Sequence, residues 1–203
     1  MAFLKNKRQL RELSLNDKNL PWVNSLKHLG TTVTNEFNRT SQDTIEKRGQ
    51  YIAKNNELTQ EFHYAYPTTK SMLNNIYNTH FYGAPLWDLF SDQFQKVVNS
   101  WNVSQRVMFN LPRTTHRYLI EPVSDRPHIN ISIWKRFLKF TRLLSESQKI
   151  VLNNIYSIVK DDCRSTTGNN LRQIMLKTGH DVYTKADNGF DQLIQMLETV
   201  CSG

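Results

Sequence analysis

Between Phe94 and Leu144 the chain carries two apolar patterns with a period of about 3.6 residues, one on each side of a Pro-punctuated basic connector. In the first, Phe94, Val97, Val98, Trp101 and Met108 recur at the spacing that lines one face of a helix. In the second, Trp134, Phe137, Leu138, Thr141 and Leu144 do the same, while Lys135, Arg136, Lys139 and Arg142 fall mostly outside the stripe. Between them, LPRTTHR packs Arg113, His116 and Arg117 together, with Arg106 just upstream. Two readings fit this pattern. The helices are core elements whose outer faces are merely solvated, or they form a rigid platform that holds cations against a phosphate backbone.

The charge distribution bears on that choice. The chain of 203 residues has a formal net charge of +8. Residues 1–50 hold nine Lys/Arg against five Asp/Glu and residues 101–150 nine against three, while the other two quarters are each slightly acidic. Solubility alone does not require such clustering, so an acidic partner is expected, nucleic acid foremost. An aromatic content of 11 % predicts a globular chain with a core of Trp, Phe and Tyr. No apolar run approaches the roughly 20 residues of a membrane span, and the start MAFLKNKRQLREL has no apolar signal core. Two distant cysteines, Cys163 and Cys201, read as reduced thiols of an intracellular protein, nuclear or cytoplasmic.

In order, residues 1–34 read as extended. Leu13 and Leu15 alternate, Asn16 to Asn19 form a turn, and Trp22-Val23 begin the return of a hairpin. Leu26 to Val33 continue the strand reading, with Gly30 at a bulge or a close backbone approach. From about Ser41 the pattern turns helical. Ser41 or Asp43 is expected to cap a helix running to about Phe62, with Ile45, Ile52 and Phe62 inward. Pro67 marks a break, followed by a Thr-capped helix with Met72, Leu73, Ile76, Tyr77, Phe81 and Ala84 on its stripe, ended by Gly83 and Pro85. Weaker helices follow near Lys149–Lys160, Asn169–Lys177 and Phe190–Val200, with Gly168-Asn169-Asn170 and Gly179-His180 as separators. The expected fold is mainly α: a short N-terminal β-hairpin, a helical bundle and further C-terminal helices.

Chemistry is sparse. Asp161-Asp162 is the one pair that invites a two-metal reading. It stands at a predicted helix end, without an upstream strand-borne aspartate to complete a site, so a solvated turn is expected. Six scattered histidines lie at no zinc spacing with a cysteine, and Gly-rich phosphate loops and nucleophile elbows do not occur. Neither a catalytic residue nor a metal ligand is assigned.

The segments VNSLKHLGTTVT, YNTHFYGAPLWDL, WNVSQRVMFNLPRTTHRYLIEPV and KRFLKFTRLLSES, in this order over roughly residues 20–150, resemble the region after the catalytic palm in reverse transcriptases of non-LTR retrotransposons, the jockey-like and related long interspersed elements. The resemblance implies three parts. Residues 1–40 would be a remnant of the palm edge and a primer-grip-like hairpin containing His28, Leu29 and Gly30. Residues 41–111 would be the helical thumb, and 112–203 a basic connector with further helices. It also implies RNA or RNA–DNA duplex as partner, with Arg106, Arg113, His116, Arg117, Lys135, Arg136, Lys139 and Arg142 as the nucleic-acid-binding set. The parent polymerase would use Mg. In that family the catalytic aspartates precede the Leu-Gly hairpin, and this chain has no Ala-Asp-Asp motif there. Its reading frame is therefore expected to begin inside the palm, and the chain to bind without polymerising, with no cofactor, no membrane and no small-molecule substrate of its own. The rival expectation is a helical protein-interaction module; a small metal-dependent enzyme built on Asp161 and Asp162 ranks last.

Overall fold

Residues 14–15, 18–19, 23–28, 30–34, 40–78, 81–124, 127–179 and 194–197 are described by the computed structural model. The described strands are β1 (Ser14–Leu15), β2 (Lys18–Asn19), β3 (Ser25–His28) and β4 (Thr31–Thr34). The helices are α1 (Thr40–Glu61), α2 (Pro67–Asn78), α3 (Asp92–Met108), α4 (Ile120–Ser124), α5 (Ile129–Ser145), α6 (Ile150–Asp161) and α7 (Thr166–Thr178), with 3₁₀ turns at Ala84–Leu86 and Arg117–Leu119. The protein is mainly α with short antiparallel hairpins at its N-terminal end, as the sequence predicts. No described helix is long and apolar enough to cross a membrane.

The stripe on α3 behaves as its spacing dictates: Phe94, Val97, Val98, Trp101 and Met108 are all buried. Each such side chain contributes about 1.5–3 kcal/mol of transfer free energy. Ser91 starts the helix, its Oγ accepting from the Phe94 N–H at 3.3 Å, and Asp92 and Arg106 sit at the dipole ends that suit their charges. On α5, Phe137, Leu138 and Thr141 are buried with Ile133, while Trp134 and Leu144 are half-buried. Thr141 is tolerated in that core because its hydroxyl donates back to the carbonyls of Phe137 and Leu138. One buried cluster joins Tyr51 of α1, Trp87, Phe94, Val97, Val98 and Trp101 of α3, Ile133, Phe137 and Leu138 of α5, and Ile174 of α7. Aromatic rings follow one another through it, with Phe81 edge-on to Trp87 at 5.4 Å and Trp87 beside Phe94 at 6.4 Å.

The inner face of α1 differs from the expected one. Ile45 and Phe62 are exposed and Ile52 is half-buried, whereas Thr44, Tyr51, Asn55 and Leu58 turn inward. Polar contacts tie this face to its neighbours: Arg48 Nε donates to Ser100 Oγ of α3 at 2.8 Å, and Asn74 Nδ2 of α2 donates to the Tyr51 hydroxyl at 3.4 Å. A search for apolar periodicity passes over such a face. Burial pushes the Tyr51 phenol up, with hydrogen bonds to Ser104 and Asn74 pulling partly back. Asp43 is not a cap either. It is buried within the first turn of α1, where its carboxylate accepts from the Thr32 N–H at 3.0 Å and from Trp87 Nε1 at 2.7 Å. That one side chain fastens β4, α1 and the Trp87 loop together.

Other departures have equally local causes. Pro67 does not break a helix but opens α2 as its first residue, where a missing N–H costs nothing. Met72 and Ile76 face solvent, and α2 buries Ser71 and Asn74 instead. Phe81 and Ala84 are buried as expected but lie beyond the end of α2, which stops at Asn78. Lys18 and Asn19 belong to the return strand, paired with Leu15 and Ser14, rather than to the turn. Gly30 is not in a bulge: with φ of +78° it follows β3 in the bend back to β4, where His28 pairs with Thr31 and Leu26 with Val33. Gly168 does not separate helices but lies in the first turn of α7, where a Cβ would sit 2.4 Å from the Asp162 carbonyl oxygen. Gly179 does end a helix, with φ of +75°. Of the helix expected at Phe190–Val200, residues 194–197 are described and helical; Leu13, Trp22, Leu29, His80, His180 and Cys201 lie outside the described residues.

Candidate nucleic-acid interface

The basic connector leaves α3 through Phe109 and Asn110, the latter at φ of +52°. Its course is fixed from behind. Arg106 donates through Nε and Nη2 to the Thr115 carbonyl at 3.0 and 2.7 Å, and the Leu111 N–H returns to the Arg106 carbonyl at 2.8 Å. Arg106 is thus committed to the loop, a doubly held charged donor on one acceptor. The loop then projects Arg113, His116 and Arg117 into solvent, and the His116 and Tyr118 rings stack at 5.4 Å.

On α5, Lys135, Lys139 and Arg142 follow an i, i+4, i+7 spacing opposite the buried stripe, with Arg136 at their flank. Arg136 and Lys139 are exposed, and Lys135 and Arg142 are half-buried. Arg142 Nε reaches Glu146 Oε1 at 2.7 Å, which neutralises part of that face. Arg136 also lines a small cleft with Asn75 and Trp101. The connector residues are therefore gathered on one loop and the α5 residues on one helix face. In the hairpin, His28 is exposed and Gly30 lies in the bend, while Thr32 holds β4 to α1 through Asp43 and through Glu46 Oε2 at 3.2 Å.

Sequence reasoning missed a cleft of about 520 Å³ in which Arg117 meets Phe90, Tyr118, Trp134 and Lys177. The nearest signal was the LPRTTHR cluster, but nothing in the pattern ties it to Phe90 or to Lys177. His128 was missed as well. It is buried beneath this cleft as the N-cap of α5, with Nε2 donating to Asn102 Oδ1 at 3.1 Å and Nδ1 accepting from the Asn130 N–H at 3.4 Å. Burial, and then the nearby charge of Arg117, lowers its pKa to about 4, so the ring is neutral near pH 7.

Asp161 and Asp162 do not converge on a site. Asp162 Oδ1 accepts from the Arg164 N–H at 2.9 Å and from Arg164 Nε at 3.2 Å. The backbone bond first, and then the side-chain bond, holds its carboxyl below the usual range. Among the described residues no group of three His, Cys, Asp or Glu side chains is placed to hold a metal ion. Helix α6 is anchored by Tyr156, whose phenol burial, and then the charge of Asp161, pushes up to about 12. Beside that anchor, Val151, Ile155 and Ile158 form a stripe that is 68 %, 52 % and 72 % exposed. Compared with known proteins, no family model, no curated protein and no solved structure matches this chain.

Proposed function

We propose that this chain binds the sugar–phosphate backbone of RNA or RNA–DNA duplex, in the manner of the thumb and connection of the non-LTR reverse transcriptases it resembles. The observation that carries the reading is the connector: Arg113, His116 and Arg117 are exposed on a loop whose path is set by the doubly bonded Arg106. Holding the loop in advance lowers the ordering cost of engaging phosphates. The outer face of α5 adds Lys135, Arg136, Lys139 and Arg142 on a rigid element. Such contacts position a duplex and carry no sequence information, so binding is expected to be indifferent to sequence. The proposed role of these residues is to hold the duplex by its backbone.

The test is fluorescence anisotropy with labelled RNA–DNA heteroduplex, duplex DNA and single-stranded RNA. Affinity for heteroduplex is expected to exceed that for single strands and to fall by orders of magnitude between ~50 and ~200 mM salt. Lys139→Glu combined with Arg142→Glu should weaken it further. Absence of binding at ~50 mM salt would overturn the proposal. One observation supports a second reading. The exposed stripe of Val151, Ile155 and Ile158 on α6 suits a protein partner better than a nucleic acid. On that reading, Ile155→Asp abolishes partner binding, and nucleic-acid affinity is nil.

A further inference from the structure

The cleft missed by sequence reasoning has a composition of its own. Its wall combines two cations, Arg117 and Lys177, with aromatic rings from Phe90, Tyr118 and Trp134. Lys177 Nζ lies 5.7 Å from the centre of the Phe90 ring, and the Phe90 and Trp134 rings are 5.7 Å apart, so α7, the Leu89–Ser91 loop and α5 converge there. Two of the lining residues carry polar atoms, Trp134 Nε1 and Asn130 Oδ1, that are shielded from solvent and have no hydrogen-bond partner among the described residues. An indole N–H can only donate and an amide oxygen can only accept, so one donor and one acceptor lie unpaired behind the wall. Leaving such groups unpaired is costly, and a ligand that draws these side chains toward the cleft and brings both complements recovers part of that cost.

The charge balance narrows the class of ligand. Glu121 also lines the cleft, so it is not simply an anion hole. A bare phosphate would meet the carboxylate as well as the cations. A molecule with an anionic end, a flat ring and both donors and acceptors on its edge uses every kind of wall present. At about 520 Å³ the space is within the range of small-ligand sites. Tyr118 is exposed, with His116 stacked on its ring, and such a face suits a base.

We propose that the cleft between the connector, α5 and the C-terminal end of α7 is a binding site for a single nucleotide, with the phosphate at Arg117 and Lys177 and the base against Tyr118 and Trp134. The nucleotide is either the unpaired end of a strand held on the basic face or a free nucleoside monophosphate. The first source rests on the duplex-binding reading; the second does not. Glu121 accepts from the base edge or the ribose hydroxyls, which makes the site a reader of a nucleotide and not of phosphate alone.

The indole N–H resonance of Trp134 supplies the test, assigned by its loss in Trp134→Phe. Adenosine monophosphate is expected to shift it saturably in the ~1 mM range, with inorganic phosphate giving little change. Lys177→Ala and Tyr118→Leu alter exposed positions, and each should weaken the nucleotide about tenfold. Absence of a shift at ~10 mM nucleotide, or an equal shift with inorganic phosphate, would overturn the site. A second arm compares blunt heteroduplex with heteroduplex carrying a single-nucleotide overhang. Tighter binding of the overhang, lost in Tyr118→Leu, identifies the strand end as source. An indole shift with nucleotide and equal affinity for both duplexes identifies the free nucleotide. An indole shift without any duplex binding leaves this site standing and removes the duplex-binding reading.

Discussion

Acid should destabilise this protein over a pH window set by His128. The ring is buried between Trp101, which meets it edge-on at 4.9 Å, and the cleft wall that carries Arg117, Glu121 and Lys177. Protonation would place a second cation near Arg117 and would remove the lone pair on Nδ1 that accepts from the Asn130 N–H. In the unfolded chain the same ring titrates at its ordinary value of 6.5, against about 4 in the fold. Below pH 6.5 the unfolded state therefore takes up a proton that the folded state refuses until about pH 4. The contribution is complete above pH 6.5 and is lost as the pH falls through this window, at about 1.4 kcal/mol per pH unit and about 3 kcal/mol in all.

The assay is urea denaturation, followed by tryptophan fluorescence, on the native chain and on His128→Asn. Asparagine keeps an N-cap acceptor and cannot titrate. Near pH 7 the variant should be about 1–2 kcal/mol less stable, having lost the bond to Asn102 and the contact with Trp101. Between pH 7 and pH 5 the gap should close by about 2 kcal/mol, because carboxylates titrate alike in both proteins and cancel in the difference. A gap that stays constant over that range would refute the reasoning and mean that the ring is free to protonate in the fold.

Three further substitutions test the close contacts. Gly83→Ala would set a Cβ 2.8 Å from Thr31 Oγ1 and 3.0 Å from Asp43 Oδ2, so a loss of about 1–3 kcal/mol is expected by thermal or urea melting. Gly168→Ala meets backbone at 2.4 and 2.7 Å, the carbonyls of Asp162 and Val159, and should cost more than Gly83→Ala because backbone cannot rotate away. Asn170→Leu removes the side chain that accepts from the Leu89 N–H at 3.1 Å and donates to the Trp87 carbonyl at 2.8 Å; with both backbone groups buried, a loss of about 2–5 kcal/mol is expected from equilibrium unfolding. Equal stability of any of these variants would show that its contact is not maintained in solution.

The elements legible in the sequence are those held by apolar stripes, and those missed are held by polar contacts. α3 and α5 were readable because Val97 and Phe137, at no exposure, repeat at helical spacing with their neighbours. α1 was readable as a helix but not as a surface. Its inward positions include Thr44 and Asn55, and Arg48 reaches Ser100 across 52 positions of chain, a pairing no local pattern encodes. The buried Asp43 is the sharpest case. A carboxylate near a helix start reads as a cap, and only the arrival of the Trp87 indole 44 positions later makes it a joint between the hairpin and the core.

The same division explains the candidate site. Arg113, His116 and Arg117 were visible because they are clustered in sequence. The cleft that Arg117 shares with Phe90, Trp134 and Lys177 was invisible because it is assembled from four separate segments. Arg106 shows how a charge census misleads in the other direction: it belongs to the basic block, yet its guanidinium is turned to Thr115. A cation spent on the backbone of its own loop contributes less to the field than to the geometry. Its replacement by glutamine, which removes the charge together with the planar double donor, separates the two roles by the salt slope. If Arg106→Gln weakens duplex binding at every salt concentration while leaving the salt slope unchanged, the residue acts by holding the loop. A reduced slope would place it among the phosphate contacts.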